Sequence, residues 1–178
     1  LHRTEAQFEQ LVAGTELYFC QHRIVLWGDG SCLNTRLPRM YWRAGFSATA
    51  ATPGTPLETS QALAGYYQTA QRAEVAATIA GPQLVPTALE YRGDSLFAMD
   101  GNIGLLDGVA PGTRWEHRDL WQIQAQQIAQ RGVYPTSPAS DDPVYGRVKG
   151  HITAEAVREG RQSAIDKIGN DRADDLAK

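Results

Sequence analysis

The sequence predicts one α/β domain built on a five-stranded mixed sheet with helices on its faces, and three observations carry that expectation. The chain has 178 residues, enough for one sizeable core and too few for two. Short apolar runs bounded by turn residues, the mark of strands, alternate with longer stretches of helical spacing. Hydrophobic residues make up 42% and charged residues 21%, which excludes a disordered or fibrous chain, and no apolar run approaches the ~20 residues of a membrane helix.

The organising strand is Arg23 to Asn34. Ile24, Val25, Leu26 and Trp27 run into Gly28-Asp29-Gly30-Ser31, so an acid falls where a buried strand emerges. Asp-Gly is also an ordinary turn, and Asp29 gains meaning only if other carboxylates reach the same place. Tyr41 to Ala48 alternates as a second strand, Thr52 to Pro56 is a turn, and Leu57 to Leu63 is a third strand that completes an antiparallel meander. Thr69 to Ala80 reads as an alanine-rich helix closed by Gly81-Pro82, with Glu74 in its first turns. Thr87 to Gly93 is strand four, which ends at Asp94-Ser95, and Ser95 to Ile103 is the next helix. Asp119 to Arg131 is a further helix, Tyr134 to Asp142 is turn-rich, and Val144 to Val148 is strand five. Thr153 caps a short helix that closes at Gly160, Ser163 with Asp166 reads as a capping box, and Asn170 to Lys178 forms the last helix.

Residues 1–22 read as an N-terminal linker or docking segment, with a short amphipathic helix over Thr4 to Val12, and 23–178 as the domain. The start, Leu1-His2-Arg3-Thr4-Glu5, carries charge where a signal peptide has an apolar stretch, so the sequence reads as a piece of a longer protein. Cys20 and Cys32 lack CxxC spacing and a paired histidine, which argues against zinc and a disulfide framework and makes a reduced, intracellular setting the expectation. Net charge is −3, yet basic residues gather at Arg36, Arg39 and Arg43 and again across Arg147, Lys149, Arg158 and Arg161. A basic groove can hide in such a total. Neither a Gly-x-Ser-x-Gly nucleophile elbow nor a phosphate-binding Gly-rich loop with lysine is present.

Four acids thus lie at strand ends or helix starts: Asp29, Glu74, Asp94 and Asp174. If they converge, each close pair repels by roughly 4 kcal/mol at 4 Å and an effective dielectric near 20, so a compensating cation is expected. Carboxylate oxygens select hard ions, Mg²⁺ or Mn²⁺.

Six segments, in order, resemble the ribonuclease H type 1 family: Asp29-Gly30-Ser31-Cys32-Leu33, Thr69-x-Gln71-Arg72-Ala73-Glu74, Asp94-Ser95, Asp119-Leu120-Trp121, Val148-Lys149-Gly150-His151 and Gly169 to Ala177. The resemblance implies a ribonuclease H-like fold and an endonuclease that cuts the RNA strand of RNA/DNA hybrids, leaving 5′-phosphate and 3′-hydroxyl ends. It implies that Asp29 bridges two Mg²⁺ ions, that Glu74 and Asp94 complete one site and that Asp174 serves the other. By the same carry-over His151 assists proton transfer or product release, Thr69 contacts a DNA phosphate, Gln71 reaches the minor groove, and Ser31 and Asn34 join the substrate contacts.

The chain departs from the family pattern in three places. Gly28 stands where a threonine commonly precedes the aspartate. The stretch Gly101 to Arg118 holds only Arg114 and Arg118 as fixed cations, where bacterial and vertebrate members carry a basic handle helix. The segment between His151 and Asp174 is longer than usual. The missing handle and the N-terminal segment are most like the ribonuclease H domain of a retroelement reverse transcriptase, whose other domains are the expected partners. The alternatives are a catalytically silent domain of the same fold and another two-metal nuclease such as an exonuclease or transposase core.

Overall fold

A computed structural model describes residues 19–20, 23–50, 57–85, 89–130 and 145–178. The expected Thr4 to Val12 helix, the Thr52 to Pro56 turn and the Tyr134 to Asp142 stretch lie outside these. Strand β1 is Arg23–Leu33, β2 is Arg43–Ala50, β3 is Glu58–Ala62, β4 is Leu89–Gly93 and β5 is Tyr145–Arg147. They form a mixed sheet in the order β3-β2-β1-β4-β5. The meander β1-β2-β3 is antiparallel, β4 joins β1 in parallel and β5 joins β4 in parallel. Phe19–Cys20, inside the expected linker, adds a two-residue antiparallel ladder to the start of β1.

The helices are α1, Ala70–Leu84; α2, Leu96–Leu106; α3, Arg118–Gln130; α4, Ala154–Arg158; and α5, Ala164–Ala177. Alternation along β1 splits the core. Leu26 packs with Ala77 of α1, Met99 of α2 and the β4 and β5 tyrosines Tyr91 and Tyr145. Val25 and Trp27 pack with Ile165 and Ala173 of α5 on the other face. Trp121 is 1% exposed among Val75, Ile79 and Leu105, so α3 packs on α1 and α2. Among the described residues no helix is long and apolar enough to cross a membrane.

Helix α1 continues through Gly81-Pro82 to Leu84 instead of ending before them. Proline removes the N–H that would bond the Thr78 carbonyl. The buried Gln124 side chain of α3 donates to that carbonyl instead, at 3.2 Å, so the helix survives its proline. The same amide nitrogen lies 2.6 Å from Asn102 Oδ1 and 2.8 Å from the Tyr145 hydroxyl.

Two other boundaries move for local reasons. β2 begins at Arg43, because a turn of 3-10 helix at Arg39–Tyr41 takes up the residues before it. The final helix is one piece from Ala164, so Asn170 lies inside it. Ser163 accepts from the Asp166 N–H at 3.4 Å, but the Asp166 carboxylate does not reach back to complete a box. It accepts from the Trp27 indole N–H at 3.0 Å and from Arg92 at 2.7 Å, tying α5 to the sheet. The long 152–169 segment therefore contains α4 and the beginning of α5.

Candidate metal centre

β1 outruns its parallel neighbour. The last residue of β1 paired to β4 is Trp27, opposite Arg92, so Asp29 stands beside the place where β4 stops. One residue past β4 comes Asp94, where the chain turns into α2 under the Ser95 cap; the Ser95 hydroxyl accepts from the Ala98 N–H at 3.3 Å. Glu74 enters from above on the second turn of α1. The Thr69 cap, whose hydroxyl accepts from the Arg72 N–H at 3.1 Å, sets where that helix begins. Gly30 lets α1 come this close, since a side chain there would run into the backbone of Ala73 and Glu74. Oxygens of Asp29, Glu74 and Asp94 all lie within 4.8 Å of one another.

Three carboxylates so close cannot all be ionised without help. Burial, with the Asp94 charge next, pushes the Asp29 carboxyl up to about 6, and Asp174 adds to this. Burial pushes Glu74 up to about 10, with the Asp29 and Asp94 charges behind it. Both shifts favour the protonated form, so the metal-free cluster holds protons more tightly than free carboxylates do. The donor set is all hard oxygen and, among the described residues, none of the three forms an ion pair with a basic side chain, so the residues present fit a hard divalent cation.

The other expected site residues divide. Asp174 raises the Asp29 pKa but is not one of the three clustered acids; its carboxylate accepts from the Lys178 ammonium at 2.7 Å. His151 is exposed, with φ of 51°, in the loop after β5. That loop is pressed onto the site, because a side chain at Gly150 would overlap the Asp94 carboxylate. The Ser31 hydroxyl donates to the Ala177 carbonyl, and Asn34, at φ 62°, donates to the Tyr41 carbonyl at 3.2 Å. Gln71 is exposed on the first turn of α1, next to the half-buried Thr69.

Some supporting residues escape a sequence reading. Gly28 is more than a tolerated replacement for threonine: a side chain there would overlap the Tyr91 hydroxyl and ring, and Gly81 meets the same ring from α1. Arg72 forms a fork on Asp119 at 2.8 and 2.5 Å that joins α1 to α3 and holds the Asp119 carboxyl down to about 2. Only the Asp119-Leu120-Trp121 segment signals the second of these in advance.

No protein-family model and no curated protein matches the chain. Solved structures do. The RNase H domain of prototype foamy virus is 21% identical, with a TM-score of 0.58 over 86% of this chain and 90% of that one. The protease-reverse transcriptase of that virus is 22% identical at a TM-score of 0.56, and the match covers 86% of this chain and 20% of that one. A foamy viral protease-reverse transcriptase in complex with RNA/DNA hybrid is 17% identical at a TM-score of 0.53, covering 86% and 19%. The chain thus has a ribonuclease H-like fold. It spans about a fifth of the length of those two protease-reverse transcriptase chains.

Proposed function

We propose that this chain is a ribonuclease H, an endonuclease that hydrolyses the RNA strand of RNA/DNA hybrids and leaves 5′-phosphate and 3′-hydroxyl ends. The observation that carries this is the meeting of Asp29, Glu74 and Asp94 in the notch where β4 stops, on a ribonuclease H-like fold. Asp29, Glu74 and Asp94 would hold one Mg²⁺, and Asp29 with Asp174 a second; Mn²⁺ fits the same oxygens. When bound, such ions supply positive charge against the phosphate and make water more acidic.

The chain's own residues supply the rest. To hold an ion, Glu74 would have to be ionised and Asp174 would have to part from Lys178. His151, on the loop that Gly150 presses against Asp94, takes or returns a proton at its imidazole near the leaving oxygen. Thr69 and Gln71 receive the DNA strand, one at a phosphate and one in the minor groove, and Ser31 and Asn34 join the substrate contacts. Contacts to 2′-hydroxyls distinguish the RNA strand. We place the chain inside the cell, as a domain of a larger polypeptide such as a retroelement reverse transcriptase, with 1–22 as its linker.

The test is incubation with labelled RNA/DNA hybrid in Mg²⁺ or Mn²⁺, beside double-stranded RNA, double-stranded DNA and the Asp94→Asn variant. Cleavage confined to the RNA of the hybrid and lost in the variant is the expected result. Absence of hybrid cleavage with either ion, even with upstream domains restored, leaves a silent nucleic-acid-binding domain as the better account.

A further inference from the structure

From Leu33 to Arg43 the chain carries Arg36, Arg39 and Arg43 and no acid, in a protein of net charge −3. Arg36 and Arg39 are exposed, and among the described residues neither has a carboxylate partner. Leu37, Met40 and Tyr41 beside them are 51%, 66% and 51% exposed.

This β1–β2 loop is braced from within. The Leu37 N–H donates to the Asn34 carbonyl at 2.8 Å, the Trp42 indole donates to the Leu37 carbonyl at 2.8 Å, and Arg43 donates to the Trp42 carbonyl at 2.8 Å. Arg39 lies over the Trp42 ring, 5.6 Å from its centre. Next to the loop, Gln68 accepts from the Ala44 N–H and donates to the Leu63 and Gly65 carbonyls, clamping the segment before α1 against the same edge. That segment presents Tyr66 and Tyr67, 81% and 68% exposed, and runs directly into Thr69 and Gln71.

The stretch where the family carries its basic handle is poor in positive charge. Between Ser95 and Arg118, Asp100, Asp107 and Glu116 outnumber Arg114 and Arg118, a net of −1. Phosphate neutralisation dominates nucleic-acid affinity, and arginine next to exposed aromatic rings is the composition that holds a sugar-phosphate backbone. A surface braced before binding loses less entropy on contact.

We propose that the β1–β2 loop, with Tyr66 and Tyr67, is the duplex grip of this domain: Arg36 and Arg39 contact backbone phosphates of the hybrid outside the cleavage position, and the tyrosines pack on the adjoining sugars. This rests on the nuclease reading for the identity of the duplex. The role of a basic handle thereby moves to the opposite end of β1 from the linker ladder.

The test measures binding apart from cleavage. Labelled RNA/DNA hybrid is titrated with the 178-residue Asp94→Asn chain at several KCl concentrations and followed by fluorescence anisotropy. Arg36→Gln with Arg39→Gln should weaken binding about tenfold at physiological salt and flatten the slope of log affinity against log salt by about 2, roughly 0.9 for each phosphate no longer neutralised. Arg36→Lys with Arg39→Lys should keep most of both. With Asp94 restored, the glutamine variant should raise KM and leave kcat unchanged. An unchanged affinity and slope overturns the proposal, including the case in which the exposed apolar residues turn out to bind a protein. Wild-type cleavage with unchanged glutamine-variant binding removes this grip and keeps the nuclease. Binding that the glutamine variant loses, without cleavage by any form, keeps the grip and removes the nuclease.

Discussion

Removing the Asp29 charge should stabilise the metal-free protein, and the size of the gain follows from its surroundings. An unfolded chain releases this proton near pH 3.8, whereas the folded chain keeps it up to about 6. Between those values the folded state binds more protons than the unfolded state, so stability is fullest below about pH 4 and falls as pH rises through 6. A displacement of about two pH units at ~1.4 kcal/mol each amounts to ~3 kcal/mol. Asp29→Asn should therefore gain ~3 kcal/mol over wild type at pH 7 in EDTA, about 6–12 °C in Tm, and almost nothing near pH 4. His117, whose pKa burial lowers, titrates with the opposite sign but is common to both proteins and cancels in the difference. Mg²⁺ should reverse the order at pH 7, because a ligand that binds only the folded wild type adds stability by mass action. Urea and thermal unfolding in EDTA and in Mg²⁺ read both effects. If the variant is no more stable than wild type in EDTA at pH 7, or Mg²⁺ raises both Tm values equally, the crowded-carboxylate account of this site is wrong.

Gly150→Ala should leave Tm close to wild type and lower hybrid cleavage at least tenfold, since the loop or Asp94 must give way; thermal unfolding and a cleavage time course check it. Gly28→Thr should cost about 1–3 kcal/mol by overpacking against Tyr91, and Tyr91→Leu in the same chain should return much of it, measured by urea midpoint. Gln124→Leu should cost about 2–3 kcal/mol by removing the buried amide that the Thr78 carbonyl and Asn102 Oδ1 bond to. With Pro82→Ala restoring a donor to the Thr78 carbonyl, the same substitution should cost less, so a double-mutant cycle should give a non-zero coupling.

The acids were legible because each sits beside a local signal. Asp29 and Asp94 each follow a strand that ends in glycine and precede Gly-Ser or Ser, and Glu74 follows a threonine cap by a fixed count. Strand order was legible only in part, through the meander and the later helix-strand alternation. What escaped the sequence depends on partners far along the chain. Pro82 reads as a helix stop until Gln124 supplies the missing donor. Gly169 reads as a breaker of the last helix, at ~1 kcal/mol, until the Trp27 ring is found lying against it, where any side chain would collide. Asp166 reads as half of a capping box until Trp27 and Arg92 claim its carboxylate. Gly28 reads as a harmless departure until Tyr91 fills the space beside it.

The fastening of α5 also has a consequence in time. Ser47 and Ser31 donate to the Ala173 and Ala177 carbonyls across separations of 126 and 146 residues, and Trp27 meets Asp166 across 139. Contacts of such span close late, since the loop entropy must be met before they return anything. A ribosome delivering the chain from its N-terminus has released β1, α1 and β4 well before α5 exists, so Asp29, Glu74 and Asp94 can meet while Asp174 is still unmade. The sheet face that α5 covers, with Val25 and Trp27 on it, stays bare for that interval. The emerging protein is therefore exposed to aggregation longest on the face opposite α1, and the acid on α5 is the last to take its place.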